Sequence, residues 1–124
     1  MNFSLQVNSQ RGTTVNRLFE DPKSRNPSKE FAFTVSCLGA EYRLDIPASE
    51  LEELLHAARS VTISPAGGCG MGLDGKSYEL TIDTGFAHAT YRWWMSPEEG
   101  WRPLEKIAGM LLQLAFKVSG QYQP

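Results

Sequence analysis

The sequence predicts an α+β domain in which a mainly antiparallel sheet of five to seven strands carries two helices. Three observations predict it. Apolar and polar residues alternate along the N-terminal third, two later stretches repeat apolar residues every three to four positions, and one of these helices lies between strands while the other is C-terminal. A length of 124 residues, 41% of them hydrophobic, suits a single domain over residues 1–124.

The first strands follow from period-two patterns. Phe3, Leu5 and Val7 alternate with polar residues, and a second extended segment is predicted over 13–19. The segment 20–30 has two prolines and no apolar side chain, so we expect a solvated loop. Two more strands form a predicted hairpin around Gly39, with their apolar positions on one face: Phe31, Phe33, Val35, Tyr42, Leu44 and Ile46.

The period changes after Pro47, where a first helix is predicted. Leu51, Leu54, Leu55 and Ala58 follow the i, i+3, i+4, i+7 spacing of one buried stripe. Ser49 followed by Glu52 has the spacing of a capping box, which predicts a helix start near Ser49. A short β-branched strand over 61–64 and a glycine-rich loop over 65–75 come next.

Two further strands, 78–83 and 86–95, are predicted to form a hairpin with Thr84-Gly85 as a two-residue turn. That turn pairs Asp83 with Phe86 and places Trp93 in the core. It also pairs Ile82 with Ala87, Leu80 with Ala89 and Tyr78 with Tyr91. The opposite face then carries Glu79, Thr81, His88, Thr90, Arg92 and Trp94.

The last element is a helix with Pro103 in its first turn and Gly120 placed to end it. Its predicted apolar face is Leu104, Ile107, Ala108, Leu111, Leu114, Ala115 and Val118. We expect Trp101, just before this helix, to attach it to the sheet.

The segment Gly70–Ser77 matches the phosphate-binding pattern G-x-x-x-x-G-K-[ST], and its glycines also match G-x-G-x-x-G. Both motifs need a helix directly after the loop, because free helical N–H groups and the helix dipole hold the phosphates. Here Lys76-Ser77 is followed by alternating apolar and polar residues, which predict a strand. Nucleotide binding through Lys76 is therefore the least favoured of three functional hypotheses.

The second hypothesis is a small cysteine-dependent enzyme. Cys69, between glycines, would be the nucleophile, His88 its base, and Glu79 or Asp83 would orient the imidazole. No spacing in the sequence requires these groups to meet. For Cys37 and Cys69, two free thiols are favoured, and one bridge between them stays open.

The first hypothesis is a non-enzymatic protein-binding module, because no complete catalytic set is evident. Trp94 shares a face with Arg92 and His88, and it is either covered by a loop or helix or exposed in an aromatic and arginine patch. The candidate partner-binding residues are Met71, Leu73, Asp74, Glu79, His88, Arg92 and Trp94.

The composition limits the classes of partner that we expect. A net charge of -2 and a pI near 5.7 give no basic field for nucleic acid or anionic membrane. The sequence shows neither a signal segment nor a membrane span, so we expect a cytoplasmic protein, monomer or homodimer, whose partner is a protein. Two distant histidines and unclustered cysteines predict no metal site and no cofactor.

The C-terminal half, in particular L73-D-G-K-S-Y-E-L-T-I82, Y91-R-W-W94, P97-E-E-G-W101 and P103-L, resembles small uncharacterised bacterial proteins. Its general plan is similar to that of immunity proteins, which neutralise a partner toxin. The resemblance covers about the last 60 residues. It implies an inhibitor of a bacterial toxin that works by covering its partner, and it carries over no particular functional residue.

Overall fold

The computed structural model describes residues 1–21, 31–37, 39–60, 76–84, 88–94 and 99–119. Six strands form one antiparallel sheet in the order β4-β3-β2-β1-β5-β6. Their bounds are β1 Asn2–Ser9, β2 Gly12–Glu20, β3 Phe31–Cys37, β4 Ala40–Ile46, β5 Ser77–Asp83 and β6 His88–Trp94. With helix α1 at Glu52–Arg59 and helix α2 at Arg102–Ser119, the predicted α+β class is confirmed.

The first four strands follow one another across the sheet, so that each is paired with the next along the chain. Gly12 and Gly39 have positive φ angles of 125° and 81°, a region that side chains with a Cβ rarely adopt, so glycine suits both turns. The chain then leaves β4 at one edge and returns as β5 beside β1, on the far side of the meander.

Alternation along each strand gives the sheet two different faces. The core face is closed by both helices, and its fully buried side chains include Leu5, Leu18, Phe33 and Leu80. The side chains of the intervening residues lie on the other face, which we call the open face. On β1 and β2 they are Asn2, Ser4, Gln6, Asn8, Thr13, Val15, Arg17 and Phe19; on β3 and β4, Ala32, Thr34, Ser36, Glu41, Arg43 and Asp45; on β5 and β6, Ser77, Glu79, Thr81, Asp83, His88, Thr90, Arg92 and Trp94.

The first helix begins where the sequence predicts, but the predicted capping box is wrong. A 3-10 turn at Ala48–Leu51 precedes α1, and Ser49 lies inside that turn rather than before it. No side chain caps the 3-10 turn or α1, because their N-cap residues are Pro47 and Leu51, which have no side-chain acceptor. The Pro47 carbonyl accepts the N–H of Glu50 at 3.1 Å. Leu51, Leu54, Leu55 and Ala58 are buried as predicted.

Helix α2 packs across β2, β3 and β4 and against α1. Leu104, Ile107, Ala108, Leu111 and Ala115 are buried and Leu114 and Val118 are half-buried, which confirms the predicted apolar face. The ring of Trp101, in the turn before the helix, meets Tyr91 of β6 edge-on with the centroids 5.5 Å apart. Trp101 therefore attaches the start of α2 to the sheet, as expected.

The predicted register of the last hairpin is wrong by two residues. Asp83 pairs with His88, Ile82 with Ala89, Leu80 with Tyr91 and Tyr78 with Trp93. The connection is thus four residues long rather than the two of Thr84-Gly85. The observed register stacks Tyr78 on Trp93, with centroids 5.6 Å apart and planes 16° apart. A shift of two residues exchanges no side chain between faces, so Trp93 is buried and the predicted face assignment holds.

Several predictions lie outside the described residues. They are the strand over 61–64, the glycine-rich loop over 65–75 with Cys69, Met71, Leu73 and Asp74, most of the loop over 20–30, and the helix stop at Gly120.

One polar side chain sits on the core face of a central strand. Asn16 of β2 is fully buried; its Nδ2 donates to the Leu5 carbonyl at 3.1 Å, and its Oδ1 has no hydrogen-bond partner. Thr14 and Cys37 lie on the same face, and the Thr14 hydroxyl donates to Cys37 Sγ at 3.5 Å. An uncompensated buried amide oxygen makes this position sensitive to added negative charge.

We predict that Asn16→Asp lowers the free energy of unfolding by at least about 3 kcal/mol at pH 7, because it buries a carboxylate without a partner. Burial raises the pKa of such a carboxyl above its unfolded value of about 3.9, so the penalty is smallest below that pH and grows as pH rises. Urea unfolding at pH 4 and pH 7 measures it. Asn2→Asp, on the open face at an exposed position, is the control; equal losses in both variants would contradict the prediction.

Candidate functional site

The hairpin of β5 and β6 presents four directly opposed pairs on the open face. Along the hairpin they are Ser77 with Trp94, Glu79 with Arg92, Thr81 with Thr90, and Asp83 with His88. The sequence placed Glu79, His88, Arg92 and Trp94 on one face, and the structure brings them onto adjacent strands. Trp94 is half-buried and His88 and Arg92 are exposed.

Arg92 and Glu79 form an ion pair across this hairpin. Arg92 Nε donates to Glu79 Oε2 at 2.8 Å, while the Arg92 side chain keeps 75% of its surface exposed. The next pair, Thr81 and Thr90, joins its hydroxyl oxygens at 3.0 Å. These contacts hold polar groups in fixed positions at the surface without withdrawing the guanidinium from solvent.

At one end of the open face, amide and hydroxyl side chains form a hydrogen-bond network. Asn8 Oδ1 accepts from Thr13 Oγ1 at 2.7 Å and from Gln6 Nε2 at 3.2 Å, and Asn8 Nδ2 donates to Ser77 Oγ at 3.4 Å. The polar groups of this network satisfy one another across three strands. That end of the open face is therefore already hydrogen-bonded.

On β4, at the other side of the open face, Arg43 binds two carboxylates. Its Nη2 donates to Asp21 at 2.6 Å and its Nε to Asp45 at 3.1 Å. These two hydrogen bonds raise the pKa of Arg43 above its ordinary value, and the one to Asp21 makes the larger contribution. The guanidinium also lies over the Phe19 ring, 5.9 Å from its centroid. We call Arg43, Asp21, Asp45 and Phe19 the Arg43 cluster.

An open groove of about 500 Å³ lies between the Arg43 cluster and the β5–β6 hairpin. Its lining includes Ser4, Arg17, Phe19 and Thr34, with Glu41 on the β4 side and Asp83 on the β5 side. Thr34, Arg17 and Ser4 stand directly opposite one another on β3, β2 and β1. Sequence reasoning missed Arg17: the segment 13–19 was predicted to be extended, but its neighbours were not assigned, so no pattern placed Arg17 between two hydroxyls.

The structure brings together only part of the proposed cysteine site. His88 lies opposite Asp83, which is where an orienting carboxylate would stand, whereas Glu79 is engaged by Arg92. Cys69 is outside the described residues. Cys37 is a free, half-buried thiol on the core face. Among the described residues, no group of three or more His, Cys, Asp and Glu side chains could hold a metal ion.

The chain matches no protein-family model and no curated protein sequence. Within the described part of the chain, neither helix has the length and apolar character needed to cross a membrane.

We predict that the Arg92–Glu79 ion pair contributes little to stability, because both side chains reach solvent. A double-mutant cycle with Arg92→Gln and Glu79→Gln should give a coupling energy of about 0.2–1 kcal/mol in urea unfolding. A coupling above about 2 kcal/mol would contradict the exposed geometry. A small coupling energy would mean that the ion pair itself adds little to the free energy of unfolding.

We predict that ATP and GTP do not bind through Gly70–Ser77. Strand β5 begins at Ser77, so no helix follows Lys76 to supply the N–H groups and dipole that a phosphate loop needs. Titration calorimetry with each nucleotide at millimolar concentration should give no binding heat. Submillimolar binding that Lys76→Ala abolishes would show the prediction to be wrong.

Proposed function

We propose that the protein is a non-enzymatic protein-binding module, an immunity-type inhibitor that covers a bacterial toxin with the open face of its sheet. The observation that carries this proposal is the difference between the two faces of the sheet. Both helices pack on the core face, and the described residues place no helix over the open face. The open face is built on six hydrogen-bonded strands, and its described side chains are exposed or half-buried except Ala32, which is fully buried.

The composition of the open face supports a protein partner. Arg92, Arg43 and Arg17 are exposed on the open face, and the aromatic side chains of Trp94 and Phe19 on the same face are half-buried. Arginine and aromatic residues are enriched at protein–protein interfaces, where they contribute most of the binding energy. Charges of both signs stand side by side, which favours electrostatic complementarity with one partner over general attraction.

The fixed positions of these side chains give a second support. The Arg92–Glu79 pair and the Thr81–Thr90 contact are side-chain hydrogen bonds between neighbouring strands, and Arg43 is held by hydrogen bonds to Asp45 on its own strand and to Asp21. An inhibitor gains affinity when its surface is already ordered, since less side-chain entropy is lost on binding. Inhibition by coverage requires such a surface and no reactive group.

The proposal predicts that one protein co-purifies at near-equal stoichiometry when the tagged protein is isolated gently from its native host, and that its toxic or enzymatic activity is blocked in the complex. Arg92→Glu should weaken this complex at least about tenfold, because it reverses a charge on the covered face. Arg59→Glu, the same substitution at an exposed position of α1, should leave affinity unchanged.

Two outcomes would contradict the proposal. In one, the protein is isolated alone or only with itself. In the other, Arg92→Glu and Arg59→Glu affect the complex equally. Cys69→Ala separates the cysteine-enzyme hypothesis from this one, because an inhibitor retains its affinity without that thiol, whereas an enzyme that uses it as nucleophile loses its activity.

A further inference from the structure

We infer that Thr34, Arg17 and Ser4 form a seat for one carboxylate of the protein partner, an aspartate or glutamate side chain, which presupposes the partner binding proposed above. We call these three residues the Arg17 row. They line the open groove on β3, β2 and β1, which are three of the four inner strands of the sheet.

In the Arg17 row, three directly neighbouring side chains have unused hydrogen-bonding capacity. Arg43 is engaged by two aspartates, Arg92 by Glu79, and Thr81 and Thr90 by each other. Among the described residues, by contrast, the side chains of Thr34, Arg17 and Ser4 form no ion pair and no side-chain hydrogen bond. The sheet therefore presents one exposed guanidinium between two available hydroxyls.

The register places a hydroxyl beside Arg17 on each side. Arg17 is directly opposite Thr34 on one side and Ser4 on the other, and opposed residues of neighbouring antiparallel strands have Cβ atoms about 5 Å apart. A guanidinium donates two parallel N–H bonds to one carboxylate, and the hydroxyl on one side or the other can add a third donor to it. The row matches the donor requirement of a single planar oxyanion.

The charges around the groove select a single carboxylate over a phosphate group. Glu41 on β4 and Asp83 on β5 are each two strands across and two residues along from Arg17, about 12 Å at normal strand spacing. Arg43, which also lines the groove, is already paired with Asp21 and Asp45. Their repulsion acts more strongly on a dianion than on a monoanion. The same two carboxylates favour basic or neutral groups of the partner on either side of the seated side chain.

The probe is a matched pair of peptides, acetyl-Ala-Asp-Ala-amide and acetyl-Ala-Asn-Ala-amide, titrated into the whole protein and followed by ¹H–¹⁵N chemical shifts. The aspartate peptide should shift the amides of Ser4, Arg17 and Thr34 saturably with a Kd on the order of 1–10 mM, as one charge-assisted contact allows. The asparagine peptide should not. Arg17→Gln should weaken binding at least about tenfold, whereas Arg59→Gln should have no effect.

Arg17→Lys refines the test. It keeps the charge but loses the fork of parallel donors, so it should bind the aspartate peptide more weakly than wild type and more tightly than Arg17→Gln. Three results would overturn the seat: equal shifts with both peptides, unchanged binding in Arg17→Gln, or inorganic phosphate binding more tightly than the aspartate peptide.

Failure of the seat and failure of the proposed function are distinguishable. If a protein partner is captured equally well by wild type and Arg17→Gln, the proposed function stands and the carboxylate seat is overturned. If Arg17→Gln abolishes peptide binding but no protein partner is captured, a carboxylate site exists and its assignment to a protein partner is overturned.

Discussion

The shared register of six strands is the constraint on which the rest of this structure depends. Each pair of neighbours is antiparallel and aligned so that most apolar positions fall on one face along the whole sheet. Slipping any strand by one residue would expose its apolar side chains and bury its polar ones. Burying a side chain such as Leu5 or Leu80 stabilises the fold by about 1.5–3 kcal/mol, so the core fixes the register. The same register decides which side chains are neighbours on the open face.

The open face carries many polar side chains close to one another. Most of them pair with a neighbour on the next strand, as Arg92 does with Glu79 and Asn8 with Thr13 and Ser77. These pairs lower the cost of crowding polar groups and also fix their positions. In the Arg17 row, by contrast, three directly neighbouring side chains lack such a partner among the described residues, and all three line the groove. A partner would meet mostly satisfied groups around one site with donors to spare.

The sequence indicates the two faces of this sheet better than it indicates the pairing of its strands. Alternation placed Trp93 in the core and Arg92 and Trp94 on the other face, because side-chain direction has a period of two. The β5–β6 register was missed because a two-residue shift preserves that period, and the stacking of Tyr78 on Trp93 across the hairpin cannot be read from either strand alone. Ser49 and Glu52 show a similar limit: their spacing matches a cap, but Pro47 leads the chain into a 3-10 turn that contains Ser49. The relation of Arg17 to Thr34 and Ser4 depends on three strands at once, so no local pattern revealed it.

Thiol accessibility on the two faces tests most directly the claim that the sheet is open on one side. In a background with Cys37→Ser and Cys69→Ser, single variants at neighbouring residues, Ser4→Cys with Leu5→Cys and Thr81→Cys with Leu80→Cys, would be labelled under native conditions. We predict that the Ser4→Cys and Thr81→Cys thiols, at half-buried positions, are labelled in the folded protein, while the Leu5→Cys and Leu80→Cys thiols react only on unfolding. Protection of the Ser4→Cys and Thr81→Cys thiols to the same degree as their buried neighbours would contradict it.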